Sequence, residues 1–146
     1  MTGIFEKGAI TLEDLIELIR KKSNIDRAGA IVTFTGIVRR EKEDGKQVKR
    51  LKIDSYKEMA EKILNKITNE EKKDGIIDIQ IAHLIGDFST GEDLVYVVIM
   101  GAHRQECFQT LERVVDRYKN EAPFWKKEIL ETGEEFWISK HNKDKK

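Results

Sequence analysis

Basic side chains stand at both ends of one predicted helix, in segment 103–128. The segment reads HRQECFQTLERVVDRYKNEAPFWKKE, so an imidazole and a guanidinium stand where the helix begins. At the other end Lys119, Lys126 and Lys127 flank Pro123, the single proline of the chain. A helix N-terminus offers free backbone N–H groups and the positive end of the helix dipole, and both attract phosphates and carboxylates. The segment therefore predicts a site for an anionic ligand.

His103 and Arg104 have two interpretations from the residues alone. In the first, a partly buried histidine and a surface arginine do no more than complete the start of a helix. In the second they bind an anion, because the preceding Gly101 and Ala102 are small enough for a ligand to approach the backbone. Arginine also offers a planar fork that matches phosphate oxygens. The residue types leave both interpretations open.

The lysines after this helix start have a structural explanation as well. Lys119 lies in the predicted last turn, where a cation stabilises the helix dipole by ~0.3 to 1 kcal/mol without any catalytic role. Lys126 follows two aromatic residues, and a lysine beside aromatic surface can lose hydration and have its pKa lowered. If this segment is a strand, Lys127 points away from Lys126, whereas Glu128 points the same way and can orient it.

Three helices and six strands are predicted to position these residues. Apolar residues at spacings of three and four predict helices at 12–22, 56–74 and 104–121, and Thr11 followed by Asp14 predicts a capping box at the start of the first helix. Alternating or continuous apolar runs predict strands at 29–38, 48–55, 76–85, 94–102, 125–130 and 136–138. The first two strands are expected to form a hairpin across the polar loop 41–47. Strands arranged as an antiparallel meander, with helices laid on one side, indicate an α+β fold.

The same spacing assigns individual side chains to buried or exposed positions. Met59 and Phe108 fall on the apolar faces of their helices. Arg39 and Arg40 end the first predicted strand, and strand ends often finish in solvated charge, so the residues alone assign neither arginine a ligand. Cys107 invites a role as a sulfur carrier, but a free cysteine on an apolar helix face is usually a small core residue.

Composition excludes several function classes. A chain of 146 residues fits one domain, predicted over residues 1–138, with a disordered tail at 139–146. Lys+Arg 27 balances Asp+Glu 27, so the net positive face that nucleic-acid binding requires is not expected. The longest apolar run, 94–102, is well short of the ~20 residues of a membrane helix. The N-terminus does not resemble a secretory signal. We predict a cytoplasmic protein that binds neither nucleic acid nor membrane.

Metal binding is not expected either. The chain has one cysteine and three scattered histidines, and their positions do not match the ligand spacing of a zinc site. A single cysteine also cannot form a disulfide within the chain. We therefore predict neither a structural metal nor an intramolecular disulfide.

Three motifs give the chain a resemblance to a known family. They are GAIVTFTGIVR at Gly29–Arg39, the HR pair at 103–104 and APFWKKE at Ala122–Glu128. In this order, with a long helix between the last two, they resemble the large, catalytic subunit of molybdopterin synthase. The resemblance implies the α/β-hammerhead form of an α+β fold, with an antiparallel sheet covered by helices. It also implies a homodimer of large subunits.

The resemblance implies a sulfurtransferase of molybdenum cofactor biosynthesis. In that reaction cyclic pyranopterin monophosphate gains two sulfurs as the dithiolene of molybdopterin. The sulfur comes from the C-terminal Gly-Gly thiocarboxylate of a small ubiquitin-like partner. One partner on each protomer of the homodimer makes a heterotetramer. The resemblance implies no metal and no organic cofactor at this step.

The resemblance also implies residue roles. It assigns Lys119 and Lys126 to catalysis, and it assigns Arg39, His103 and Arg104 to the substrate phosphate. Glu128 and Lys140 are supporting candidates, with residue 140 reaching the pocket from the second subunit. Leu84 follows His83, and the family pattern has an arginine at that position. Leu84 therefore departs from the pattern, and no binding role is expected there.

A different class of function needs only part of this set. A non-catalytic module could use the same basic pocket to bind a phosphorylated metabolite or an acidic peptide terminus. Catalysis needs the two lysines in addition to the residues that bind the phosphate. An assay of dithiolene formation distinguishes the two classes.

Overall fold

The computed structural model describes residues 1–138. Within them, seven strands form one sheet: β1 Gly3–Glu6, β2 Ala30–Ile37, β3 Val48–Ser55, β4 Ile76–Ser89, β5 Asp93–Gly101, β6 Phe124–Leu130 and β7 Glu135–Ile138. The helices are α1 Leu12–Arg20, α2 Lys57–Glu71 and α3 Arg104–Glu121, with a short 3-10 turn at Ile25–Arg27. The predicted tail 139–146, which contains Lys140, lies outside the described residues.

The strands follow the order β2-β5-β4-β3-β6-β7, and β1 pairs with β4. All pairings are antiparallel except that of β1 with β4, which is parallel. The α+β prediction is confirmed. β4 runs on to Ser89, four residues beyond its predicted end, and thereby pairs with β1 along 82–85 and with β3 along 86–89. The strand β1 was not predicted.

The predicted hairpin of β2 and β3 is wrong. β2 pairs with β5 along its whole length, whereas β3 pairs with β4 and β6. Between the two strands the chain makes one isolated bridge, Glu41 to Gln47. Adjacency in sequence favoured the hairpin, because consecutive strands usually pair. Here the apolar β5 takes β2 as its neighbour, and the alternating, charged β3 lies in the more exposed half of the sheet.

The helix α1 begins with the predicted capping box. The Thr11 hydroxyl accepts from the Asp14 N–H at 3.2 Å, and the Asp14 carboxylate accepts from the Thr11 N–H at 2.9 Å. Its buried side chains are Leu15 and Ile19. None of the helices in residues 1–138 combines the length and the apolar character that a membrane crossing requires.

Helices cover both faces of the central strands, not one. His83 of β4 contacts Tyr118 of α3, so α3 covers the face that carries His83. Asp78 lies an odd number of positions from His83 and so points to the opposite face. Lys22, just after α1, pairs with Asp78 at 3.7 Å, which places α1 on that face. The prediction of helices on one side is therefore wrong, because β4 and β5 are buried on both faces and both faces need cover.

Polar groups in the contact between α2 and α3 shift the buried faces from those predicted. Met59 and Phe108 are 56% and 59% exposed, so their predicted burial is wrong. Glu71 and Thr110 are buried instead. Arg113 donates to both of them at 3.1 Å, so these polar groups are satisfied. The prediction of the buried helix faces considered apolar residues only, and it therefore missed Glu71 and Thr110.

Candidate functional site

A cleft of about 980 Å³ opens between the end of β2, the last turn of α3, and the strands β6 and β7. Three of the predicted catalytic and substrate-binding residues line it, namely Arg39, Lys119 and Lys126, as does the supporting candidate Glu128. Each of the three cations comes from a different element of the fold. The structure therefore brings together three cations that are far apart in sequence.

The end of α3 explains how the two lysines reach one cleft. Ala122 closes the helix with an N–H bond to the Tyr118 carbonyl at 3.1 Å, and Pro123 follows, which disfavours further helix. The chain turns there and enters β6. Lys119 precedes the turn, with its Nζ 5.9 Å from the centroid of the Phe34 ring, and Lys126 follows the turn.

Side chains alternate along β6. Lys126 and Glu128 line the cleft. Lys127 is not among the lining residues, and it forms an ion pair with Glu135 and lies 5.5 Å from the centroid of the Trp137 ring. The two neighbouring lysines therefore have different surroundings, which makes them a natural matched pair for mutation.

Arg39 and Arg40 also differ. Arg39 lines the cleft, and no carboxylate in the part of the chain that the structure describes forms an ion pair with it. Arg40 is exposed and donates from Nε to the Gln47 side chain at 2.8 Å. A guanidinium that lacks an internal carboxylate can take an anionic ligand.

His103 and Arg104 lie elsewhere. Both are exposed at the N-terminus of α3, where His103 is the N-cap residue and makes no side-chain capping bond. Neither is among the described residues that line the cleft. The helix rise puts Arg104 about 22 Å from Lys119 along the helix. One chain therefore does not bring the predicted phosphate-binding residues together around a single ligand.

Sequence reasoning missed the polar loop as part of the cleft wall. Lys42 forms an ion pair with Glu128 at 2.7 Å, and Lys42 and Lys46 lie 5.7 and 5.1 Å from the centroid of the Phe136 ring. The close approach of the Glu128 carboxylate raises the pKa of Lys42. Nothing in the sequence of the loop indicated this contact, because a run of alternating charges is typical of a solvated turn.

Cys107 and His83 both belong to the core. Cys107 is fully buried, with its Sγ 4.0 Å from the Ala30 carbonyl, and burial raises the pKa of its thiol. His83 is fully buried and stacks on Phe124 with ring centroids 3.8 Å apart. Leu84, where the family pattern differs, is also buried. A buried, protonated thiol is a poor nucleophile, so the core interpretation of Cys107 fits the structure.

The described residues do not form a metal site. Among residues 1–138, no group of three or more His, Cys, Asp or Glu side chains is placed to hold a metal ion.

The comparisons with known proteins agree on one family. Residues 5–121 match the family model described as MoaE protein, a range that includes Arg39, His103, Arg104 and Lys119 and ends before Lys126. A probable molybdopterin synthase of Haloferax volcanii is 40% identical over 131 residues, 88% of this chain and 50% of that protein. The chain therefore spans about half the length of that relative.

Two further proteins match over most of their length. The molybdopterin synthase catalytic subunit of Thermoplasma volcanium is 40% identical over 125 residues, 85% of this chain and 88% of that protein. The X-ray structure of molybdopterin synthase from Staphylococcus aureus superposes with a TM-score of 0.82 and 31% identity, covering 94% of this chain and 96% of that one. The family model matches residues 5–121, which are more than half of the chain, so the chain belongs to the MoaE protein family.

Proposed function

We propose that this chain is the catalytic subunit of molybdopterin synthase, a sulfurtransferase of molybdenum cofactor biosynthesis. It transfers sulfur from the C-terminal thiocarboxylate of a small ubiquitin-like partner to cyclic pyranopterin monophosphate and makes the molybdopterin dithiolene. One observation carries the proposal: in a chain of this family, Arg39, Lys119 and Lys126 converge on one cleft. Residues 1–138 act as a single catalytic domain, and the reaction takes place in the cytoplasm.

The charges of the cleft suit this chemistry. The substrate carries a cyclic phosphate, and the guanidinium of Arg39 offers it two parallel N–H donors. The thiocarboxylate sulfur attacks a carbon of the pterin side chain and forms a C–S bond, while a bond from that carbon to oxygen breaks and negative charge develops on the oxygen. Water then hydrolyses the resulting thioester, which leaves the sulfur on the pterin and releases the partner as a carboxylate. Lys119 and Lys126 stabilise that charge and exchange protons with the reacting groups. Glu128 supports this arrangement through its ion pair with Lys42.

His103 and Arg104 enter the site only if a second copy supplies them. They lie about 22 Å from Lys119 in the same helix, which is further than an arginine side chain reaches. A homodimer that places the N-terminus of one α3 beside the cleft of its partner would complete the phosphate site. The exposure of both residues leaves them accessible for such a contact. This arrangement repeats twice by symmetry and makes two equal sites.

The small partner is the source of the sulfur. Its extended Gly-Gly tail has no side chains, so it can enter a narrow channel that ends near the two lysines. One partner on each protomer of the homodimer makes a heterotetramer. This part of the proposal rests on membership of the family and on the volume of the cleft, about 980 Å³.

Reconstitution tests the proposed function. The purified chain is mixed with the thiocarboxylated small subunit and with cyclic pyranopterin monophosphate, and the dithiolene product is quantified by mass spectrometry. We expect product that depends on both additions and is absent when the partner carries an ordinary carboxylate. Binding of the pterin without any product would support the non-catalytic binding module instead.

A further inference from the structure

The segment that follows β2 forms a small hairpin, which we call the flap (residues 40–47). The Lys42 N–H donates to the Lys46 carbonyl at 2.9 Å, and the Val48 N–H donates to the Arg40 carbonyl at 2.6 Å. Gly45 stands at the tip with φ +84, a conformation that glycine adopts without strain. The flap is therefore an ordered element with its own backbone bonds.

Several side chains of the flap line the cleft, including Lys42, Asp44 and Lys46. The flap also reaches the opposite wall, where Lys42 pairs with Glu128 of β6 at 2.7 Å. The ammonium groups of Lys42 and Lys46 lie over the ring of Phe136 in β7. The flap thus spans the cleft from the β2 end to the β6–β7 wall.

Polar contacts alone hold the flap in place. Its sequence, REKEDGKQ, contains no apolar residue, so hydrophobic burial does not fix its position. The side chains of Lys42 and Glu128 are only 25% and 14% exposed, and such a pair is screened less by solvent and salt than a surface pair. A segment without apolar anchors opens easily unless such contacts restrain it.

We propose that Lys42 is a positioning residue of the synthase: its pair with Glu128 latches the flap across the cleft and so holds Arg39, at the base of the flap, toward the anionic substrate. This inference rests on the proposed function for its substrate. The latch also offsets the negative charge of Glu128, which lines the cleft on the same side of β6 as Lys126. Both effects favour binding of a phosphate.

Lys127 provides a matched control within the same chain. It also pairs with a glutamate, Glu135, and it also lies over an aromatic ring, that of Trp137. Its side chain is 27% exposed, close to the value for Lys42. It does not line the cleft and does not touch the flap through any of these contacts. Replacing either lysine by methionine removes the charge and keeps the length.

Amide hydrogen exchange tests the latch without any substrate. In Lys42→Met we expect the amides of Lys42 and Val48, both bonded within the hairpin, to exchange about tenfold faster than in the wild type. Lys127→Met should leave these amides unchanged. Equal exchange in Lys42→Met and wild type, with both proteins folded by circular dichroism, would overturn the latch. This result holds whether or not the proposed function is correct.

Steady-state kinetics of the reconstituted synthase test the positioning role. We expect Lys42→Met to raise the KM for cyclic pyranopterin monophosphate about tenfold while kcat changes less than about threefold. Lys42→Arg, which keeps the charge, should stay within about threefold of wild type in both, and Lys127→Met should match wild type. A flap that exchanges faster in Lys42→Met with an unchanged KM would overturn the positioning role, as would an equal effect of Lys127→Met.

Discussion

The two ends of α3 differ in a way that their residue types do not reveal. Both ends are basic, and the N-terminal end, with His103 and Arg104, has the more favourable helix dipole for an anion. Yet this end is exposed and lies outside the cleft, whereas Lys119 at the C-terminal end shares the cleft with Arg39 and Lys126. The side chains that surround a basic residue, and not its type alone, therefore decide whether it belongs to a site.

The two ends of α3 also differ in whether one chain is enough to surround them with the other site residues. The C-terminal end of α3 meets β6 through the turn at Pro123, so a single chain assembles both lysines. The N-terminal end has no such neighbour within the described residues that form the cleft. The site proposed here is therefore built from unlike ends of two copies of α3.

The largest expected effect concerns the C-terminal end. Lys119→Ala and Lys126→Ala should each slow the single-turnover rate of sulfur transfer by ~10²-fold or more, because each removes a preorganised group that stabilises charge or moves a proton. Lys127→Ala, on the other side of β6, should keep the wild-type rate. The measurement uses saturating partner and substrate, with partner binding checked for every variant. Equal rates in all three variants would break the distinction between the two sides of β6.

The next effect concerns the phosphate. Arg39→Ala and Arg104→Ala should weaken binding of cyclic pyranopterin monophosphate about tenfold to a hundredfold, since each removes charge-assisted hydrogen bonds. Titration calorimetry measures the Kd, and Lys127→Ala serves as the control because Lys127 pairs with Glu135 and does not line the cleft. Wild-type affinity in Arg104→Ala would mean that the N-terminal end of α3 takes no part in the site.

A smaller effect is expected in the middle of α3. Glu71 of α2 pairs with Arg113 at 3.1 Å and Arg117 at 3.3 Å, and its side chain is only 8% exposed. Glu71→Ala should lower the free energy of unfolding by about 1 to 2 kcal/mol, because two arginines lose a buried partner while keeping access to solvent. Glu70, 49% exposed and paired with Arg117, is the control, and Glu70→Ala should be close to neutral. Denaturant unfolding measures both.

The smallest effect is expected at Cys107. Cys107→Ser should retain sulfur transfer when the thiocarboxylated partner is supplied, because the thiol is buried against Gly101 and Ala30 and does not line the cleft. Burying a hydroxyl in its place should cost about 1 kcal/mol of stability, measured by denaturant unfolding. A folded serine variant that binds both the partner and the pterin but makes no product would assign Cys107 a relay role.

The fold was predictable where the local pattern was strong. The capping box of α1 and the bounds of α3 and β3 follow the sequence closely, because each has a clear start, stop or alternation. Pairing was harder, since β2 and β3 are adjacent in sequence but are separated in the sheet by β5 and β4. β4 also runs to Ser89, past its predicted end at residue 85. Which strands become neighbours depends on the whole apolar surface.

The candidate site was likewise predictable only in part. The family resemblance singled out Arg39, Lys119 and Lys126, and the structure places them in one cleft, while their roles stay predictions. The flap could not be predicted, because the ion pair of Lys42 with Glu128 joins two segments far apart in sequence. Local charge patterns indicate which residues carry chemistry. They do not indicate which distant segment closes over them.

Mixed dimers test the central claim most directly, namely that unlike ends of two α3 helices build one site. Lys119→Ala and Arg104→Ala chains are unfolded together in equal amounts, refolded and assayed for dithiolene formation beside each variant alone. With substrate below the wild-type Kd, we expect the mixture to regain about a quarter of the wild-type activity, because half of the random dimers then hold one intact site of two. Activity in the mixture that does not exceed the average of the two separate variants, with heterodimers confirmed by native mass spectrometry, would contradict it.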